Sequence, residues 1–159
     1  MTTLTFDVDT KQFKTTIDGM IARMPKELNK ITGDVARIYE ESIQSMAKTV
    51  FKYETPELRK TIKAENIKRG RNPVWVIKMA KKTKWVERGR PPGKMPPETE
   101  AIKRWASRAG MSTWWLRKTI GRHGTEERPF IIPGIHKANR SRELQDILNR
   151  GAQRIVKGR

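Results

Sequence analysis

The stretch PKELNKITGDVARIYEESIQSMAKTV, residues 25–50, sets the architecture. Leu28, Ile31, Val35, Ile38, Tyr39, Met46 and Val50 recur at helical spacing and mark one apolar face. Asp34, Arg37, Glu40, Glu41 and Lys48 occupy the other, as a solvated face requires. The pattern predicts a helix of about 25 residues, roughly 37 Å long at 1.5 Å per residue. Upstream, Phe13, Ile17, Met20, Ile21 and Met24 mark another helix. Pro25 removes a backbone donor and restricts Met24, so a break is expected there, with Pro25 opening the longer helix. Before that, Leu4, Phe6 and Val8 alternate with Thr5 and Asp7 and predict an arm or strand within residues 1–9.

Downstream, Glu54-Thr55-Pro56 ends the helical pattern. Residues 58–68 alternate weakly, Gly70-Arg71-Asn72-Pro73 is a turn signal, and Val74 to Met79 is rich in β-formers; together they predict a hairpin. Trp85-Val86-Glu87-Arg88-Gly89 predicts a further short strand. Four prolines and a glycine between Arg90 and Pro97 predict a loop. Pro97 is then expected to open a helix with Ile102, Trp105, Ala106 and Ala109 on one face, ended by Gly110. Ser112 caps the next, with Trp115, Leu116, Thr119 and Ile120 inward and Gly121 and Gly124 at its close. Arg128 to Gly134, apolar between prolines, predicts an edge strand. A last helix runs from about Ser141, with Leu144, Ile147, Leu148, Ala152, Ile155 and Val156 on its face.

The order predicts one α+β domain over residues 1–159, with a long N-terminal helix and further helices packed on a small antiparallel sheet. Its parts are the arm (1–9), a helical region (10–51), a basic hairpin and loop region (58–95), and a stretch of helices with an edge strand (96–159). The length of 159 residues suits a single domain. Ile, Leu, Val and Phe make up only 32 of those residues, so the core is thin and extended loops are expected to need a partner.

The net charge is +18, and it is uneven. Residues 1–57 hold eight basic and nine acidic side chains, whereas residues 58–95 hold thirteen and two. The remaining stretch holds fourteen and six. A localised basic surface steers polyanions, or equally meets an acidic protein neighbour. The chain has no cysteine, which excludes disulfides, Cys-ligated metal and a thiol nucleophile. His123 and His136 are too few for a His-rich metal site, and no cofactor is expected. No secretory h-region and no apolar run near the ~20 residues of a membrane span is present, so a protein without a membrane partner is expected.

Catalytic chemistry needs convergent reactive groups. Only Glu65 and Glu87 are acidic between residues 58 and 97, and no phosphate-cradling glycine loop or nucleophile elbow occurs, so no enzyme is expected. Two binding features remain. Lys81, Lys82, Lys84, Arg88, Arg90 and Lys94, interleaved with Trp85, Pro91 and Pro92, form the densest basic cluster. A stiff proline loop loses little entropy on docking, so this cluster reads as a subunit interface or a phosphate-contact loop. Residues 102–122 have the spacing of a helix-turn-helix: Ala106, a turn glycine at Gly110 and an inward Leu116. Its second helix would present Thr113, Trp114, Arg117 and Lys118 to a DNA groove, as in a sequence-specific regulator. Against that stands Trp114-Trp115, of which one must face the core. Trp75, Trp85 and Trp105 read as core or interface residues.

The ordered set of Trp85-Val86-Glu87-Arg88-Gly89, the proline loop to Pro97, Ile102 and Trp105, Gly110, Ile120-Gly121 and Gly124, and Arg128-Pro129-Phe130-Ile131-Ile132-Pro133-Gly134 resembles a known family. It is similar to the tail-completion and neck proteins of tailed bacteriophages, the HK97 gene-product-10-like family, over roughly residues 80–157. The resemblance implies a non-enzymatic structural virion protein at the head–tail junction, assembled as a homo-oligomeric ring. Implied partners are the connector or adaptor, the tail terminator or the tail tube, with DNA in the channel as a further contact. Arg128, Pro129, Phe130, Ile131 and Ile132 would form a second interface segment beside the proline loop.

Overall fold

The computed structural model describes residues 10–50, 56–70 and 72–158. The expected arm at 1–9, the break at Glu54-Thr55 and the outlook of the Phe13 side chain lie outside the described residues. The architecture is α+β, as the sequence predicts. Helix α1 (Thr10–Val50) is followed by α2 (Pro56–Lys60), strands β1 (Lys63–Lys68) and β2 (Val74–Lys78), then α3 (Thr83–Glu87), α4 (Glu100–Arg108), α5 (Thr113–His123), α6 (Ile131–Asn139) and α7 (Arg142–Lys157).

Helix α1 is a single spine; the break expected at Pro25 is absent. Helix α7 splints it across the proline. Arg23 Nη2 donates to the Ile155 carbonyl at 3.3 Å, and Arg154 pairs with Glu27 at 2.7 Å. One turn further on, Gly151 lies so close to the Ile31 side chain that a Cβ there would overlap it. Contacts on both sides of Pro25 hold the helical path, which offsets the hydrogen bond that proline cannot donate.

The hairpin pairs β1 with β2 antiparallel, Lys63 opposite Lys78 and Asn66 opposite Trp75. Residues 58–60, expected in its first strand, belong to α2 instead. The hairpin lies along α1. Trp75 covers Gly33, where a Cβ would come within 2.9 Å of the indole. Glu40 Oε2 accepts from the Ala64 N–H at 2.7 Å, and Gln44 Nε2 donates to the Ile62 carbonyl at 2.8 Å. Two α1 side chains thus satisfy backbone groups at the start of the hairpin, one in β1 and one in the residue just before it, blunting a sheet edge that two strands alone leave exposed.

Two apolar clusters flank the spine. Ile31 and Ile38 pack with Ala138, Leu144 and Ile147 of α6 and α7. Ile43 and Ala47 pack with Ile62 and Phe130, joined by Ile77, Val86 and Ile131. Gly134 allows α6 to approach so closely that a Cβ there would sit 2.7 Å from Ile43 Cα. On α7, Leu144 and Ile147 face inward, whereas Leu148 and Val156, expected on the same face, are about half exposed.

Three further expectations are corrected. Residues 85–89 do not form a strand: Trp85, Val86 and Glu87 end the short helix α3, and only Arg90 bridges to Thr125. The segment 128–134 is not an edge strand but leads into α6. Pro133 falls in the first turn of that helix, where a missing N–H costs little because the residue four before it, Pro129, lies outside the helix. Helix α4 starts at Glu100 rather than Pro97, capped by the Thr99 hydroxyl. Ser112 caps α5 as expected, accepting from the Trp115 N–H at 3.2 Å.

Candidate functional site

The basic loop and the Arg128–Gly134 segment, far apart in sequence, meet in one clasp. It is built mostly from backbone. Arg90 and Thr125 exchange N–H···O bonds at 3.2 and 2.9 Å, and Gly93 N–H donates to the Gly121 carbonyl at 2.8 Å. Arg128 N–H reaches the Val86 carbonyl at 2.9 Å. Side chains at Gly89 and Gly124 would overlap the Thr125 and Arg90 carbonyls, and Gly124 adopts φ +75°, a left-handed value that glycine tolerates best.

Glu87 closes the clasp. Its Oε2 accepts from the N–H groups of Phe130 at 2.8 Å and Ile131 at 3.1 Å. These are orphan donors at the start of α6, and a carboxylate satisfies both them and the positive end of the helix dipole. This is why the segment after Pro129 turns helical. Neither Glu87's role nor the helix could be read from local pattern, because the cap comes from 43 residues away.

The clasp sorts the predicted interface residues. Lys81, Lys82, Lys84, Arg88, Pro91, Pro92 and Lys94 are exposed, as the interface reading expects. Trp85 is 43% exposed with cations over its ring, Lys84 Nζ at 4.7 Å and the Arg90 guanidinium at 5.8 Å from the centroid. Arg90 also donates to the Lys94 carbonyl at 3.1 Å, which stiffens the proline loop. In the second segment Arg128, Pro129 and Ile132 are exposed and Ile131 is half-buried. Phe130 is fully buried in the core and is an anchor, not an interface contact.

Helices α4 and α5 form a separate pair around Ala106, Leu116 and Ile120, with Ile102 and Met111. Gly110, at φ +64°, makes the turn between them. Two helices joined by a glycine turn are therefore present, but their side chains are not disposed as the helix-turn-helix reading expects. Arg117 donates to the Pro96 carbonyl at 2.8 Å and pairs with Glu98 at 3.2 Å, so it ties the helix to the loop. Thr113 is half-buried. Trp115, expected inward, is 51% exposed, and Trp114 is 56% exposed with Lys118 Nζ 4.5 Å from its ring centroid. From α5, the buried side chains of this core are Leu116 and Ile120. Nearby, Lys103 is ringed by carboxylates: its hydrogen bond to Glu100, then the charges of Glu100 and Glu98, hold its ammonium above the usual lysine range.

No helix among the described residues is long and apolar enough to cross a membrane. No family model, curated protein or solved structure matches the chain.

Proposed function

We propose that this chain is a structural virion protein of the neck or tail-completion kind, acting as one subunit of a ring between connector and tail. One observation supports the reading above others. Of the motifs that carry the resemblance, Trp85 to Gly89, the proline loop, Gly121 and Gly124, and Arg128 to Phe130 converge on a single clasp although they span more than forty residues, while Ile102, Trp105, Gly110 and Ile120 belong to the helix pair that the clasp closes. Residues that serve one structural unit together are what an ordered family pattern reflects. The clasp presents a stiff, basic, proline-rich loop and an apolar Ile132 to the outside, chemistry suited to docking on neighbouring subunits. Among the described residues, the exposed Trp114 and Trp115 adjoin in sequence and Trp85 lies on the clasp, apolar surface that a neighbouring subunit could cover.

The rival is a sequence-specific DNA-binding regulator reading a groove with α5. The α4–turn–α5 geometry favours it, but Arg117, the side chain best suited to a base edge, is engaged by Pro96 and Glu98.

Density-gradient sedimentation of a lysate producing phage particles with this protein, followed by mass spectrometry of each fraction, separates the two. Stoichiometric co-migration with heads or tails is expected, and the Arg88→Glu, Arg90→Glu, Lys94→Glu triple variant should abolish it. Absence from every particle fraction would overturn the neck reading.

A further inference from the structure

We propose that the open face of α5 binds single-stranded nucleic acid, stacking bases on Trp114 and Trp115 and meeting phosphates with Lys118 and Arg122. At 3.6 residues per turn these four positions fall within about 100° of the helix circumference. Leu116 and Ile120 are buried on the opposite side, so the face points away from α4. Both indoles are more than half exposed, which is a large apolar area to leave wet without a partner.

The charge around them selects that partner. Helix α5 contains no Asp or Glu, and neither Lys118 nor Arg122 forms an ion pair among the described residues. Glu98, the carboxylate bonded to this helix, is committed to Arg117 and Lys103. Glu126 and Glu127 follow only beyond the helix end at Gly124. The face therefore complements a polyanion. An acidic protein would satisfy the cations but does not bring a planar group in step with each charge. A nucleic acid strand offers both, a phosphate for each cation and a π face for each ring. Lys118 already sits over Trp114, so an ammonium and a stacking platform are preassembled at adjoining positions.

Single strands fit better than a duplex, because bases must be unstacked to lie on an indole. With Arg117 withdrawn from the face, binding is independent of sequence, which distinguishes it from groove readout by a regulator. The inference does not rest on the neck assignment.

The test uses the full chain and a short fluorescein-labelled oligothymidylate, with a duplex of equal length and polyglutamate of equal charge as competitors. The oligothymidylate should bind, quench indole emission and resist both competitors. Trp114→Ala with Trp115→Ala should weaken it at least about tenfold. Trp114→Leu with Trp115→Leu, which keeps the apolar surface but removes the π faces, should weaken it as much. Lys118→Gln with Arg122→Gln should reduce the slope of log affinity against log salt by about 1.4, at ~0.7 per phosphate contact on a single strand. Trp114, Trp115 and Arg122 are exposed and Lys118 is half-buried outside the α4–α5 core, so far-UV circular dichroism and melting should match the parent chain. Equal competition by polyglutamate would overturn the proposal in favour of an acidic protein partner. Preference for the duplex, unchanged affinity in the leucine variant, or no binding at low salt would overturn it as well.

Discussion

In the body made of α1, the hairpin, α6 and α7, side chains interlock: Ile31 fits against Gly151, Ile43 against Gly134 and Trp75 against Gly33. The α4–α5 pair is attached differently. Its own core has three buried residues, and its two ends are tied together by backbone hydrogen bonds from Arg90 and Gly93 to Thr125 and Gly121, while Val86 and Glu87 bond the segment that follows, Arg128 to Ile131. Burial of apolar surface is non-directional and uses that surface up. Backbone hydrogen bonds fix position and leave apolar surface free. Both parts keep apolar side chains outside, Ile21, Ile67, Leu148 and Val156 on the body and Trp105, Trp114 and Trp115 on the attached pair, but in the pair they surround a core of three buried residues. The contrast teaches that the two parts are fixed by different means, side chains seated against glycines in the body and backbone hydrogen bonds at the clasp.

Substitutions at the junction sharpen or break the contrast. Phe130→Ala should have the largest effect. Phe130 is fully buried where clasp and body core join, and truncating such a ring costs about 3–5 kcal/mol. Urea unfolding should show both parts lost together at a lower midpoint; loss of the α4–α5 pair alone would place Phe130 outside the body core. Gly124→Ala should come next, at roughly 1–3 kcal/mol, because the residue has a positive φ and its side chain would meet the Arg90 carbonyl. Amide exchange should speed up across 90–125 while α1 and α7 keep their protection. Uniform acceleration would show that the two parts do not separate. Glu87→Gln should have the smallest effect, near ~1 kcal/mol, since a neutral acceptor replaces a charged one at the same donors. Exchange should rise at Phe130 and Ile131 first; no change there would remove Glu87 from the clasp.

Much of the candidate interface was legible in the chain. Prolines forbid regular structure, and charge stays in water, so the exposed loop from Pro91 to Lys94 follows from composition, whereas helix α3 and the half-buried Arg90 within the basic cluster do not. Phe130 shows the limit: the same apolar residue reads as a contact in sequence and is an anchor in the fold, because burial depends on what packs over it. Trp115 shows the reverse. Its spacing places it inward, yet Leu116 and Ile120 already fill the narrow space beside α4, and the ring is left outside.

Local pattern settles the helix after Pro25, the hairpin, the Ser112 cap and the final helix, because periodicity, turn residues and caps act within a few positions along the chain. Continuity of α1 through Pro25 depends on Arg23 and Glu27 both being held by α7, more than a hundred residues away. The helical start of α6 depends on a carboxylate delivered from α3. Those outcomes belong to the tertiary structure, since the free energy that decides them lies in contacts that exist only once distant segments have met.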